Sequence, residues 1–393
     1  MKKFLKNFTL IAVAVIIAVC LCACGGGNKG KDNGKSLDTN VLTFEESMRE
    51  DAVNWYGRYY YAKSLERVNL NNSAAGFEVR FSGTSLSMYA QAVDLEWEGG
   101  IVGSEYICVS IDGGAYVRKL LPYGTGETKL AEGLRSGVHT ARVLKSTEAS
   151  SNTWELEKIT TDGSFYTPPE RPKYTIEVYG DSISVGHSTL KTDTKDSQSS
   201  DMEDATKTYS FMAAEKIGGI AQIFGVSGQR VGDYGGGANN TIPTLSGKSD
   251  PAASGNRTWD RAAHPVDAVV IDLGTNDIIQ AYNDGLSTDE AKEKISAGYK
   301  AFVRSLRTTY YPNAPVIIAH GTFNYASASW TGPAIQDYDE FFETLADELN
   351  TELGKVYGVQ LNKCTYGHPS AADNVANSDL LVAVLRTALG IAA

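Results

Sequence analysis

From Tyr174 to the C-terminus, short apolar runs alternate with helix-length stretches, and this alternation constrains the chain more than any other feature. Thr175-Ile-Glu-Val-Tyr reads as a strand that stops at Gly180, Ala221-Gln-Ile-Phe-Gly-Val as a second, Val266-Asp-Ala-Val-Val-Ile-Asp-Leu as a third and Pro315-Val-Ile-Ile-Ala-His as a fourth. Between and after them, helical patterns cover residues 208–217, 288–308, 335–353 and 378–389. Strands this apolar, separated by helices, predict a parallel sheet covered on both faces, a three-layer α/β/α domain over 174–393. Ligands of such sheets collect at the carboxyl ends of the strands.

Upstream the texture is different. Between 41 and 166, Phe77-Glu-Val-Arg-Phe and Leu86-Ser-Met-Tyr-Ala alternate apolar and polar residues. Turn residues such as Asp112-Gly113-Gly114 punctuate the pattern, so this region reads as an all-β sandwich of jelly-roll type. Residues 167–173 are a proline-rich linker. The chain opens with Lys2, Lys3 and Lys6, then an unbroken apolar run of 14 residues from Leu10 to Ala23. A bilayer-spanning helix needs about 20 residues, so the run fits a signal-peptide core. It ends in Leu21-Cys22-Ala23-Cys24, which resembles a bacterial lipobox. That likeness implies a signal peptide over 1–23, lipid on Cys24 and a polar tether over 24–40, the remainder lying outside the cytoplasm, anchored to a bacterial cell membrane. An uncleaved N-terminal anchor is the alternative.

The predicted strand ends carry four small motifs: Gly180-Asp181-Ser182, Gly225-Val-Ser-Gly228, Gly274-Thr-Asn276-Asp277, and Gly367-His368-Pro369 near the C-terminus. Alone, Gly-Asp-Ser is more often a turn or a helix cap than a nucleophile. Four such motifs on one rim suit acyl transfer. Ser182 offers a hydroxyl and a backbone N–H at a strand-to-helix turn, Gly228 an N–H with no Cβ in the way, and Asn276 an amide, together three donors for an oxyanion. The general base should be one of five histidines. His139 belongs to the sandwich, His264 falls on the opposite rim, and His187, five residues after Ser182, is not expected to face it. His368 is favoured because a loop after the last strand can fold over the serine; His320, at the end of the fourth strand, is its rival.

These motifs resemble the SGNH hydrolases (GDSL-type esterases), whose blocks carry Ser, Gly, Asn and His in this order. With the preceding sandwich, where Asn54-Trp-Tyr-Gly-Arg, Gly83-Thr-Ser-Leu, Ile111-Asp-Gly and Gly137-Val-His-Thr-Ala-Arg-Val carry the likeness, the chain is similar to carbohydrate esterase family two. The resemblance implies Ser182 as nucleophile, Gly228 and Asn276 as oxyanion donors and His368 as base. It also implies deacetylation of plant-wall polysaccharide such as xylan or glucomannan.

The family pattern places an Asp three residues before the histidine, where this chain has Thr365, so no third member of a triad is assigned; a carboxylate such as Asp373 or a backbone carbonyl remains open for the role. Asp181 is expected to brace its own turn, Asp277 to be a turn or N-cap residue, and Asp272 to be paired inside its strand. Trp330 is a candidate for stacking on a sugar ring. Cys108 and Cys364 are expected to be buried free thiols. No His, Cys or carboxylate spacing points to a required metal, and no cofactor is expected. A net charge of −11 disfavours nucleic acid, and leaves the N-terminal lipid as the expected link to a membrane. A non-catalytic glycan-binding lipoprotein, and an esterase acting on O-acetylated peptidoglycan, sialic acid or a lipid ester, are the alternatives; the polar stretch from Lys191 to Thr206 argues against a lipid substrate.

Overall fold

The computed structural model describes residues 34–94, 96–97, 100–101, 104–150, 152–192, 196, 199–234, 241–252, 257–325 and 336–392. The expectations for residues 1–23, for Cys24 with the start of the tether, and for Trp330 lie outside the described residues. Residues 34–393 form one compact unit.

Its N-terminal part is two six-stranded antiparallel sheets, with a small two-stranded one formed by Glu96–Trp97 and Gly100–Ile101. One runs Gly124–Ala131, Leu86–Asp94, Asn152–Thr161, Arg67–Asn69, Tyr60–Ala62, with Val41–Leu42 added to Asn152–Thr161. The other runs Val117–Leu121, Glu105–Ile111, Val138–Lys145, Gly76–Ser82, Phe165–Tyr166, with Asn54–Tyr56 added to Gly76–Ser82. The residues read as alternating, among them Phe77, Val79, Phe81, Met88 and Ala90, bury one side of each strand in a core closed by Trp154.

The C-terminal part is a five-stranded parallel sheet. Tyr174–Gly180, Gly219–Gly225, Ala268–Asp272, Val316–His320 and Val356–Gln360 are its first to fifth strands in sequence, and in space the order is second, first, third, fourth, fifth. The second, third and fourth strands are buried along their whole length, as near-continuous apolar runs require. Helices Tyr209–Lys216 and Ala371–Leu389 pack together, as do Thr288–Ser305 and Gln336–Leu353, completing the α/β/α layers. With this strand order the connections leave in opposite directions from the first and third strands. The crevice at that switch point is where open α/β sheets bind ligands.

Three elements differ from the sequence expectation. A fifth strand, Val356–Gln360, follows the fourth, a helix over Thr275–Asn283 follows the third strand directly, and the last helix begins at Ala371. Ser370 and Asp373 explain the early start: each side chain accepts the other's backbone N–H in a capping box. Asp373 is therefore a cap, remote in role from the histidine.

Candidate active site

The first strand ends at Gly180, where a Cβ would lie 2.1 Å from Ser184 Oγ, so only glycine lets the chain turn this tightly. Asp181 then caps the short helix Ser182–Val185, its Oδ1 accepting the Ile183 N–H at 3.0 Å. Ser182 is thus presented at the switch point. From the far end of the sequence, His368 reaches it: Nε2 lies 2.8 Å from Ser182 Oγ.

The other ring nitrogen, Nδ1, lies 2.7 Å from Asp196 Oδ2. Asp196 sits in the polar stretch after the Ser182 helix, 172 residues before the histidine, and also accepts the backbone N–H of His368. Thr365, which stands at the family's acidic position, is exposed and gives its carbonyl to Asn324 Nδ2 at 2.9 Å. Lys191 holds the assembly together, its Nζ 2.6 Å from Asp196 Oδ1 and donating to the carbonyls of Tyr366 (2.6 Å) and His368 (2.5 Å). Hydrogen bonds from His368 and Lys191 outweigh burial and hold the Asp196 carboxyl far below the usual range. Burial holds the His368 imidazole below its ordinary value; Asp196 opposes this and neighbouring His187 adds to it. A base kept neutral near pH 7 is ready to take a proton from Ser182.

Gly228 and Asn276 close the opposite side. Gly228 has φ +80° and no atom within 4 Å of where a Cβ would be, so the backbone is open on that side. Asn276, in the first turn of Thr275–Asn283, donates from Nδ2 to Asp181 Oδ2 at 2.9 Å and to the Gln229 carbonyl at 3.1 Å. Asp277 accepts the N–H groups of Val231 and Gly232 at 3.0 and 2.7 Å, steadying the same loop beyond Gly228. Asp181 therefore braces its own turn, as its sequence context suggests, whereas Asp277 corrects the expectation of a local turn or cap: Gly274 is the N-cap of its helix, and the Asp277 carboxylate braces the distant loop at 231–232. Asp272 is paired too, its Oδ2 accepting from Tyr209 OH at 2.7 Å. Burial among like charges raises the Asp181 carboxyl well above the usual range, and burial pushes Asp272 and Asp277 up to about 6. Ser182, His368, Gly228 and Asn276 all line one cavity of about 180 Å³, with His187, Ser227, Thr275, Ile279 and Phe323.

His320 does not join them. It is buried between the carboxylates of Asp339 (3.4 Å) and Glu343 (3.0 Å) and stacks on Phe342. His187 corrects the sequence expectation in the other direction. Gly186, at φ +94°, ends the short helix and turns the chain back, so the His187 ring lies 4.7 Å from that of His368 and lines the cavity. Cys108 and Cys364 are free and buried, and burial pushes their thiols up to about 12 and about 11.

A hydroxyl, an imidazole and a carboxylate in series, facing small-residue donors at the switch point of a parallel sheet, define a protein built for acyl transfer. Residues 178–374, half of the chain, match the GDSL-like lipase/acylhydrolase family, and residues 55–169 match the carbohydrate esterase 2 N-terminal region. The chain belongs to the GDSL-like lipase/acylhydrolase family, whose class is that of ester-cleaving enzymes. The cellulase/esterase CelE of Acetivibrio thermocellus is 26% identical over 330 residues, which are 81% of this chain and 37% of that protein. This chain thus spans little more than a third of that relative. The fold matches a family two carbohydrate esterase from Clostridium thermocellum solved with cellohexaose (TM-score 0.74, 23% identity, 86% of this chain and 99% of that one). It also matches an acetyl xylan esterase, Est2A, from Butyrivibrio proteoclasticus (TM-score 0.75, 20% identity, 89% of this chain and 98% of that one).

Proposed function

We propose that this protein is an exported, lipid-anchored O-acetylesterase that removes acetyl groups from polysaccharide, with Ser182 as nucleophile. The observation that carries the reading is the continuous relay from Ser182 Oγ through His368 to Asp196. His368 Nε2 takes the Ser182 proton as Oγ bonds to the acetyl carbonyl carbon, and Asp196 stabilises the imidazolium that forms. The carbonyl oxygen gathers negative charge beside the Gly228 and Ser182 N–H groups and Asn276, whose longer bond, to the Gln229 carbonyl, is the one an oxyanion competes for. Collapse breaks the ester C–O bond, and the sugar oxygen leaves with the proton from His368. Water then gives His368 a proton and attacks the acetyl-serine; Oγ recovers the proton as acetate departs.

The glycan is drawn from relatives: one of this fold was solved with cellohexaose, and another is an acetyl xylan esterase. Xylan and glucomannan are the favoured polymers. Export and lipid on Cys24 rest on the Lys-rich start, the apolar run and Leu21-Cys22-Ala23-Cys24. Asp196 stands where Thr365 offers no charge to the histidine, which supports catalysis over non-catalytic glycan binding.

The test is acetate release from acetylated xylan and glucomannan by the parent, Ser182→Ala and His320→Ala proteins. Release by the parent and the His320 variant, with loss in the Ser182 variant, is expected. A folded parent that releases nothing from either polymer or from an aryl acetate contradicts the proposal.

A further inference from the structure

Directly behind His368 lies a cluster the acyl-transfer chemistry does not use. Glu148 follows the sandwich strand Val138–Lys145, His187 follows the Ser182 helix, and Glu203 precedes Ala205 in the segment that leads to helix Tyr209–Lys216. Two hydrogen bonds join the Glu148 and Glu203 segments, the Ala205 N–H to the Ser146 carbonyl at 2.8 Å and Ser146 Oγ to the Glu203 carbonyl at 3.0 Å, and the Asp204 N–H to the Gly186 carbonyl at 3.4 Å brings in the segment of His187. The three side chains are 4%, 5% and 1% exposed. One potential ligand atom from each lies within 4.8 Å of the others.

His187 Nδ1 is buried with no hydrogen-bond partner among the described residues, and it lies 3.8 Å from Glu203 Oε1. An imidazole nitrogen buried without a partner carries a desolvation cost that a bound ligand removes. Backbone N–H groups fix one oxygen of each carboxylate: Ser227 N donates to Glu148 Oε2 at 2.8 Å and Glu148 N to Glu203 Oε2 at 2.9 Å. Outer hydrogen bonds of this kind orient carboxylates around metals. Two neighbouring buried carboxylate charges repel, and a divalent ion neutralises both.

We propose that Glu148, His187 and Glu203 bind one divalent metal ion of the zinc type, joining the sandwich to the loop that carries Gly228. One imidazole and two carboxylates suit zinc, and three protein ligands leave a position for water. Tetrahedral zinc, with bonds of about 2.0–2.1 Å, places its ligand atoms about 3.3 Å apart, so the separations in the cluster close by up to about 1.5 Å on binding. Sequence spacing gives no sign of the site because its ligands come from three separate segments. Through the Ser227 N–H on Glu148, the ion would brace the peptide next to Gly228. It is a structural tie, with no step of the acyl transfer passing through it.

The test uses the full-length protein, stripped with EDTA and titrated with zinc chloride by calorimetry. One ion per chain is expected, with affinity at least about 100-fold weaker in His187→Ala and Glu203→Gln and unchanged in His320→Ala. Zinc should raise the Tm of the parent and of His320→Ala, and leave that of the other two variants in place. Zinc K-edge absorption of the loaded parent gives an answer independent of how any variant folds, and a single imidazole among oxygen ligands is expected. No binding by the parent at about 1 mM zinc, parent-like binding by His187→Ala and Glu203→Gln, or two imidazoles on the ion each overturns the site.

Discussion

At the scale of residues, the site depends on groups that meet across long stretches of sequence. Gly367 makes one such meeting possible: a Cβ there would lie 2.1 Å from Asp196 Oδ2, so a glycine beside the histidine is what lets the carboxylate reach the ring. Asp277 shows the cost of such assembly. It is fully buried, with its pKa up at about 6 against the usual 3.8. Between those values the folded protein holds a proton that the unfolded chain releases. Stability from this group is therefore greatest at low pH, falls as pH rises through the window, and is level above it. The shift corresponds to about 3 kcal/mol. Asp277→Asn keeps one acceptor for the Val231 and Gly232 N–H groups and removes the titration. Denaturant unfolding at pH 4 and pH 7 should then show a smaller loss of stability across that interval than in the parent. An unchanged pH dependence contradicts the assignment.

At the scale of elements, the parallel strands were legible because burial on both faces forces runs such as Ala268–Asp272 to be apolar. The fifth strand, Val356–Gln360, was not legible. It is partly exposed, carries Tyr357, Gly358 and Gln360, and follows its helix after only two residues. The serine, glycine, asparagine and histidine of the site could be read because each sits next to a strand end or a glycine turn. Asp196 could not, since only folding brings Lys191 and the 366–368 loop to it. A spacing of five residues from Ser182 does not place His187 at the site; the left-handed Gly186, which ends the short helix, does. The start of the last helix gives a prediction at this scale. Ser370 caps it while the Ala371 N–H donates to the Thr189 carbonyl at 2.8 Å, tying the helix to the segment after Ser182. Ser370→Ala should cost about 1 kcal/mol in denaturant unfolding. A change below a few tenths would show that the cap contributes nothing.

At the scale of the whole molecule, the sandwich is part of the hydrolase. Tyr56, Ala74 and Leu144 of the sandwich sit in the same apolar cluster as the parallel sheet. Arg58, fully buried, forms an ion pair with Glu177 on the first parallel strand, bonds Tyr179 OH at 2.8 Å, and donates to the carbonyls of Ser246 and Lys248 at 2.6 Å. Removing one partner of such a pair leaves a buried charge exposed to no water. Arg58→Met should therefore cost about 3–5 kcal/mol, read as a lowered unfolding midpoint, and Glu177→Gln in the same protein should recover part of it. A neutral Arg58→Met would mean that the pair does not hold the two regions together. The central claim, that a relay through Asp196 drives ester cleavage, is tested most directly by the steady-state kinetics of Asp196→Asn on acetylated xylan. Asparagine keeps the shape and loses the charge, so kcat should fall by about 10³–10⁴ with KM little changed. A folded variant with kcat within a few-fold of the parent would contradict the account.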